Sequence, residues 1–295
     1  MDDLGTEEGL DAFSASTKVA LIDADTIAFA ACITAEYPDD LLSHEMYTHD
    51  EWEEIINDPN YDEVESCIWR LDYDRAIKAS TDRIDDIILA TDTCKAELYF
   101  TTGLNFRHTV DNLYKANRKK TRYPAGLKRV KEGLRKLYDG EICEGYEADD
   151  IVVALKEEQP EHYVLCAVDK DVYKSTPGSH YNYYYSERYN ISPKWVTVSK
   201  PDAMKFHPLQ TLCGDPTDNI KGCPSIGPKK AEKALANCKT LFEMWMVVSD
   251  LFSSKGITHE RMMQDARLTG MHQLERCADG WCWSPFSLPT PDGVE

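Results

Sequence analysis

The chain has 295 residues, 42% of them hydrophobic, enough for one large α/β domain or a core domain with a smaller helical one. No stretch approaches the run of about 18 apolar residues that a membrane span requires, and the acidic start MDDLGTEEGLDAFSAS lacks the apolar segment of a signal peptide. The net charge of −19 disfavours nucleic-acid binding only as a global figure, because residues 1–80 hold −17 of it, whereas residues 105–138 are +9 and residues 139–171 are −9. A basic segment followed by an acidic one suits a site that grips a polyanion and binds cations; two solvated faces of opposite sign are the plainer alternative.

In chain order, residues 1–17 are expected to be a disordered leader. Lys18-Val-Ala-Leu-Ile-Asp23 predicts a buried strand ending in a carboxylate, and Thr26-Ile-Ala-Phe-Ala-Ala a short helix with Asp25 as its N-cap. Residues 36–66 are acidic and aromatic without a period, which predicts a surface insertion. A helix is expected over 68–88, with Ile77, Ile84 and Ile88 on one face, then a second strand over Ala96-Glu-Leu-Tyr-Phe-Thr101. Within the basic region 105–138, Leu127, Val130, Leu134 and Leu137 follow helical spacing, while Lys128, Arg129, Lys131, Arg135 and Lys136 cover the other sides. A helix over 147–158 and a third strand over His162-Tyr-Val-Leu-Cys-Ala-Val168 complete an alternation that implies a mostly parallel sheet. Sites in such sheets form beyond the carboxyl ends of the strands, where Asp23 and Asp169 fall.

After Pro201 the pattern turns helical. A turn-rich stretch from Gly214 to Gly227 leads into a helix over Pro228-Lys-Lys-Ala-Glu-Lys-Ala-Leu235; further helices are expected over 240–249 and 259–277, with a mobile tail from 283. The domains expected are thus an α/β core over 18–200, including the basic region, and a helical subdomain over 201–282. The ten cysteines are scattered singly without a C-x-x-C pair, which fits a reducing cytoplasm. His272, Cys277 and Cys282 lack a second ligand pair, so zinc is set aside.

Four acidic groups recur at element ends: Asp23; Glu147, Asp149 and Asp150; Asp169 and Asp171; Asp215 and Asp218. Any one is best read as a cap or turn residue. As a set beside one sheet edge they need cations, since two bare carboxylates 4 Å apart repel by roughly 4 kcal/mol at an effective dielectric near 20. All-oxygen ligation without His or Cys suits two ions of Mg²⁺ or Mn²⁺, which together clamp a phosphodiester. Gly222 and Gly227 have the spacing of a Walker loop, but Pro228 and Lys229 follow where Lys and Ser/Thr are required. A helix–hairpin–helix fits better, with Gly222 and Gly227 near DNA phosphate and Lys229, Lys230 and Lys233 adding charge.

The blocks Leu21-Ile-Asp-Ala-Asp, Asn105-Phe-Arg, Tyr114-Lys-Ala-Asn-Arg118, Gly145-Tyr-Glu-Ala-Asp-Asp150, Val168-Asp-Lys-Asp171 and Gly214-Asp-Pro-Thr-Asp-Asn-Ile-Lys-Gly…Ile-Gly-Pro-Lys-Lys230 occur in this order. Together, over roughly residues 18 to 240, they resemble the 5′–3′ exonuclease/flap endonuclease family, particularly its short phage members. The resemblance implies a PIN/5′-nuclease-like α/β core with a central sheet, a helical arch and a helix–three-turn–helix on duplex DNA. It implies one metal at Asp23, Glu147 and Asp149, with Asp150 nearby, and another at Asp169, Asp171 and Asp215, with Asp218 direct or through water. Lys115 and Arg118 would contact the scissile phosphate, Tyr114 would stack on a base and Arg107 would belong to the nucleic-acid surface. Members often carry a further Asp after the second strand; here Thr102 stands there, with Asp92 as the alternative in another register. The activity expected is cleavage from 5′ ends or flaps of double-stranded DNA by a monomer in the cytoplasm. RNA in RNA–DNA hybrids, or a silent DNA-binding protein, are the alternatives.

Overall fold

The computed structural model describes residues 16–39, 50, 53, 68–118, 122–278 and 280–290. The expected leader and most of the acidic insertion lie outside them. Strand β1 (Val19–Asp23) is buried along its whole length, with Ala20 and Ile22 in one core layer and Val19 and Leu21 in the other. Apolar side chains on both faces make a strand central, and β1 sits between β4 (Lys95–Asn105) and β6 (Tyr163–Cys166), parallel to both. The six-stranded order is β5-β4-β1-β6-β7-β8, with β5 (Asp139–Gly145) and β7 (Gly178–Asn182) parallel to their neighbours and β8 (Lys194–Val198) antiparallel. The α/β fold, a mostly parallel sheet flanked by helices, is the expected one.

On one face lie α1 (Asp25–Ala35), α2 (Tyr73–Thr91) and, beyond the short α3 (Phe106–Val110), α4 (Leu127–Leu137). The other face carries α5 (Ala148–Glu158) and the short α6 (Lys170–Lys174). Because β8 runs backwards, α7 (Lys200–Cys213) starts at the opposite edge and returns to the carboxyl edge of the parallel strands, delivering Gly214 and Asp215 there. Helices α8 (Pro228–Leu235), α9 (Leu241–Ser254) and α10 (His259–Thr269) build a separate apolar cluster around Trp245 and Phe252. Among the described residues no helix is long and apolar enough to cross a membrane.

Several local expectations are corrected. The helix expected from 68 begins at Tyr73, because Ile68–Leu71 forms β3, paired antiparallel with β2 (Glu36–Asp39), so the insertion's flanks are strands. Strand β5 had no signal: Asp-Gly-Glu-Ile-Cys-Glu-Gly is polar, and of its residues only Cys143 is buried, as suits a sheet edge. The helix expected over 259–277 stops at Thr269, and 274–283 forms a hairpin, β9 (Leu274–Cys277) and β10 (Gly280–Trp283), whose Leu274 and Trp281 pack on the core. A disulfide joins Cys277 to Cys282 across it, so these two cysteines are not single. His272 instead bonds Glu157 and the Ser175 carbonyl. The tail from 283 is docked through Leu288: Phe286 lies 4.6 Å from Trp245 and 4.8 Å from His207, ring to ring, and Leu288 joins the same cluster. Leu137 is exposed, whereas Val130 and Leu134 are buried. Both helices of the basic region pack on the body; residues 119–121 of the expected arch lie outside the described residues.

Candidate active site at the carboxyl edge of the sheet

Strands β1, β5, β6 and β7 all point to one edge, and each is followed within a few residues by a polar group. Asp23 ends β1, Glu147 follows β5 as the N-cap of α5, Asp169 follows β6 as the N-cap of α6, and Tyr183 follows β7. Asp23 and Asp149 are buried against each other's charge, with Asp169 adding to the same field. Burial, then the Asp25 charge, pushes the Asp23 carboxyl up to about 7. Burial, then Asp23, Glu147 and Asp169, holds Asp149 well above the usual carboxylate range. Asp171 is pushed up to about 6 by burial and then by Asp169, with Asp215 and Asp218 contributing; its Oδ2 accepts from Gln210 at 2.8 Å, and its Oδ1 is buried without a hydrogen-bond partner.

Beside these carboxylates the cationic loop 111–118 is fastened to the loop that follows α7. The Lys115 amide donates to the Asp218 carbonyl at 3.0 Å, Asn117 to the Pro216 carbonyl at 2.5 Å, and Asn219 to the Leu113 carbonyl at 2.8 Å. Lys115 lies in the left-handed region at φ 57, so the loop aims its Nζ at Glu147, 2.5 Å from Oε1. Arg118 is ion-paired with Asp218 and half of its side chain is exposed. Although burial acts to raise it, Glu147 is held below the ordinary range by Arg107, Lys115 and Tyr114.

Four sequence expectations fail here. Arg107 is 1% exposed, its guanidinium filled by Asp150, Glu147 and the carbonyls of Leu268 and Gly270. It touches no solvent and cannot contact DNA. Asp150 is saturated by Arg107 and by the Glu147 amide, from which it accepts at 3.0 Å in a reciprocal cap, so it is not free to ligate a metal. Tyr114 is buried with Ile220 and Leu268, and its hydroxyl donates to Glu147 and Asp218; no face is open for a base. Gly222 is buried as well. A Cβ there would lie 2.4 Å from the Gly214 amide nitrogen, so both glycines, at φ +63 and +66, serve the close crossing of two backbone segments. Gly227, at the start of α8, is open, and Lys229 and Lys230 are exposed, Lys230 bonding the Ser225 carbonyl.

Asp25, expected as a helix cap, makes no such bond. Its carboxylate accepts from the Thr101 amide at 3.0 Å and from Lys131 at 2.6 Å, so Lys131 is not part of a free basic face. The Asp25 carboxylate therefore stands on the backbone of β4 at Thr101, one residue before Thr102. Asp92 ends α2 before β4 begins, at the opposite edge of the sheet, which removes it as an alternative. Gln210 gave no sequence signal and Lys131 read only as part of a basic helix face; the second carboxylate of Asp23-Ala-Asp25, spaced like Asp169-Lys-Asp171, was a signal.

The donors fit a hard divalent cation in kind: all are oxygens, several are buried against like charge, and one is unpartnered. Among the described residues no three acidic, His or Cys side chains are grouped closely enough to hold a metal ion as they stand.

No protein-family model matches the chain. Thermostable DNA polymerase I of Thermus aquaticus is 34% identical over 144 residues, covering 44% of this chain and 16% of the polymerase. DNA polymerase I of Synechocystis is 31% identical over 176 residues, 53% of this chain and 17% of that protein, so the chain spans a small part of the curated relatives it matches. Among solved structures, T5 5′-exonuclease with divalent zinc ions bound superposes with a TM-score of 0.53 at 15% identity, over 85% of this chain and 88% of that one. The chain has the fold of T5 5′-exonuclease. The catalytic core of Rad2 in complex with DNA substrate superposes with a TM-score of 0.50 at 13% identity, over 95% and 85% of the two chains. In this fold the carboxyl edge of the sheet is where the carboxylates and the Lys115 loop meet.

Proposed function

We propose that the chain is a divalent-metal-dependent 5′-nuclease that hydrolyses phosphodiester bonds at 5′ ends or flaps of duplex DNA, with a role in phage DNA replication or degradation. The observation that carries this is the crowding of Asp23, Asp149, Asp169 and Asp171 at one sheet edge beside two cations fixed on one loop. DNA substrates in the Rad2 complexes and metal ions in the T5 enzyme support it.

Water attacks phosphorus and the P–O bond breaks, leaving phosphate on one product and a hydroxyl on the other. Bound Mg²⁺ or Mn²⁺, held by Asp23, Asp149 and Asp169 and by Asp171 and Asp215, would supply activation of the water and stabilisation of the departing oxygen. Lys115 and Arg118 present positive charge where the phosphate gains negative charge, and their ion pairs with Glu147 and Asp218 keep both in place beforehand. Lys229 and Lys230 at the start of α8 hold duplex phosphate away from the cutting point. Arg107 orients Glu147 and Asp150 from behind.

The test is cleavage of 5′-labelled duplex and flap DNA with and without Mg²⁺, by the wild type and Asp149→Asn. Metal-dependent cleavage lost in the variant is expected; cleavage undiminished in excess chelator would overturn the reading.

A further inference from the structure

The carboxyl edge carries a second surface that this chemistry leaves unused. Beyond β7 the chain reads Tyr183-Tyr-Tyr-Ser-Glu-Arg-Tyr-Asn-Ile191. Tyr183 turns inward: it is buried, and its hydroxyl lies 2.7 Å from both the Asp23 carbonyl and the Thr26 hydroxyl. The following residues turn outward on an ordered hairpin, closed by reciprocal 2.9 Å bonds between Ser186 and Ile191, with Asn190 at φ 50 in its tip.

Tyr184, Tyr185 and Tyr189 are 38%, 59% and 63% exposed. Rings of this size normally supply large buried contact area, so several together in water mark a surface for a partner. The partner's chemistry follows from what surrounds them. The Arg188 guanidinium stands 5.3 Å from the Tyr189 ring, and Arg83 bonds the Tyr183 carbonyl and lies 5.8 Å from its ring. Residues 183–195 hold two basic side chains and one acidic, a small positive excess in a chain of net charge −19. Exposed tyrosine rings beside the Arg188 guanidinium suit stacked bases on an anionic strand. Position agrees as well: β7 is two strands from β1, so the hairpin rises roughly 10 Å from Asp23 at the spacing of adjacent strands.

We propose that Tyr184, Tyr185 and Tyr189, with Arg188, form a stacking platform for unpaired nucleotides beside the carboxylate edge. The preferred substrate is then a duplex with a single-stranded extension rather than a blunt end. This rests on the nuclease reading for its purpose, but its test does not use cleavage.

Binding of a 5′-flapped duplex with an oligothymidylate flap is compared with binding of the blunt duplex, by fluorescence anisotropy of labelled DNA in excess chelator. The wild type is expected to bind the flapped duplex more tightly, and the triple variant Tyr184→Ala/Tyr185→Ala/Tyr189→Ala to lose that advantage by roughly fivefold or more per stacked base. Replacing the same three residues by Phe keeps the faces and is expected to keep the advantage, which separates stacking from misfolding. An unchanged advantage in the alanine variant, or an equal loss on blunt duplex, would overturn the platform and leave the patch to a protein partner. Loss of the flap advantage in a chain that never cleaves would instead sink the nuclease reading and spare the platform.

Discussion

Arg107 and Asp150 form a two-pronged ion pair at 2.6 and 2.7 Å, both residues removed from water and the arginine also bonded to the carbonyls that end α10. The pair joins the helical cluster to the first turn of α5, which carries Glu147 and Asp149. Burial acts against the charged arginine, yet Asp150 and Glu147 keep it protonated.

Arg107→Met strands a buried carboxylate, and the expected loss is about 3–5 kcal/mol of unfolding free energy, read by urea denaturation. Duplex affinity per folded molecule should be retained. A variant of normal stability with weakened DNA binding would restore Arg107 as a contact.

The carboxylate cluster makes the metal-free protein sensitive to pH. Asp171 and Asp23 titrate near 6 and 7 in the folded chain, against an ordinary aspartate value of 3.8. The folded state binds the extra protons, so this contribution is fully present below about pH 4 and is lost as pH rises through 6 to 7. Asp171→Asn should flatten that fall, raise the melting temperature in chelator at pH 8, and abolish cleavage. Added Mg²⁺ should raise the wild-type melting temperature at pH 8 by mass action. Equal melting curves for the two proteins across this range would mean that neither burial nor the neighbouring carboxylates raise Asp171.

Lys115 and Lys229 should separate cutting from holding. Lys115→Ala is expected to slow single-turnover cleavage by about 100-fold or more, with duplex affinity little changed. Lys229→Ala should weaken binding for every sequence and lessen the slope of log K against log salt by about 0.9. Normal single-turnover rates in the Lys115 variant would show that its ammonium serves only Glu147.

Thr102 and Asp92 are resolved by a magnesium titration. Thr102→Asp should lower the Mg²⁺ needed for half-maximal rate, because it adds a negative oxygen ligand near the end of β4. Asp92→Asn should leave the titration unchanged, as its residue stands at the far edge of the sheet. A shifted titration in Asp92→Asn would contradict the strand register.

From the sequence alone come the alternation of strands and helices, the position of Asp23 and Asp169 at strand ends, and the helix opened by Pro228. Each rests on local information: apolar runs, caps and turn residues within a few positions of one another. The partners of charged side chains were not legible, since Arg107 meets carbonyls 161 and 163 residues away and Lys131 meets Asp25 across 106. The resemblance implied DNA roles for Arg107 and Tyr114, whereas the packing of α10 against α3 and of Ile220 against Tyr114 makes both interior. Phe286 shows the same limit in an apolar residue: a Pro-rich tail has no periodicity to declare its partial burial, which depends on the surface that the touching rings of His207 and Trp245 present on the folded helices.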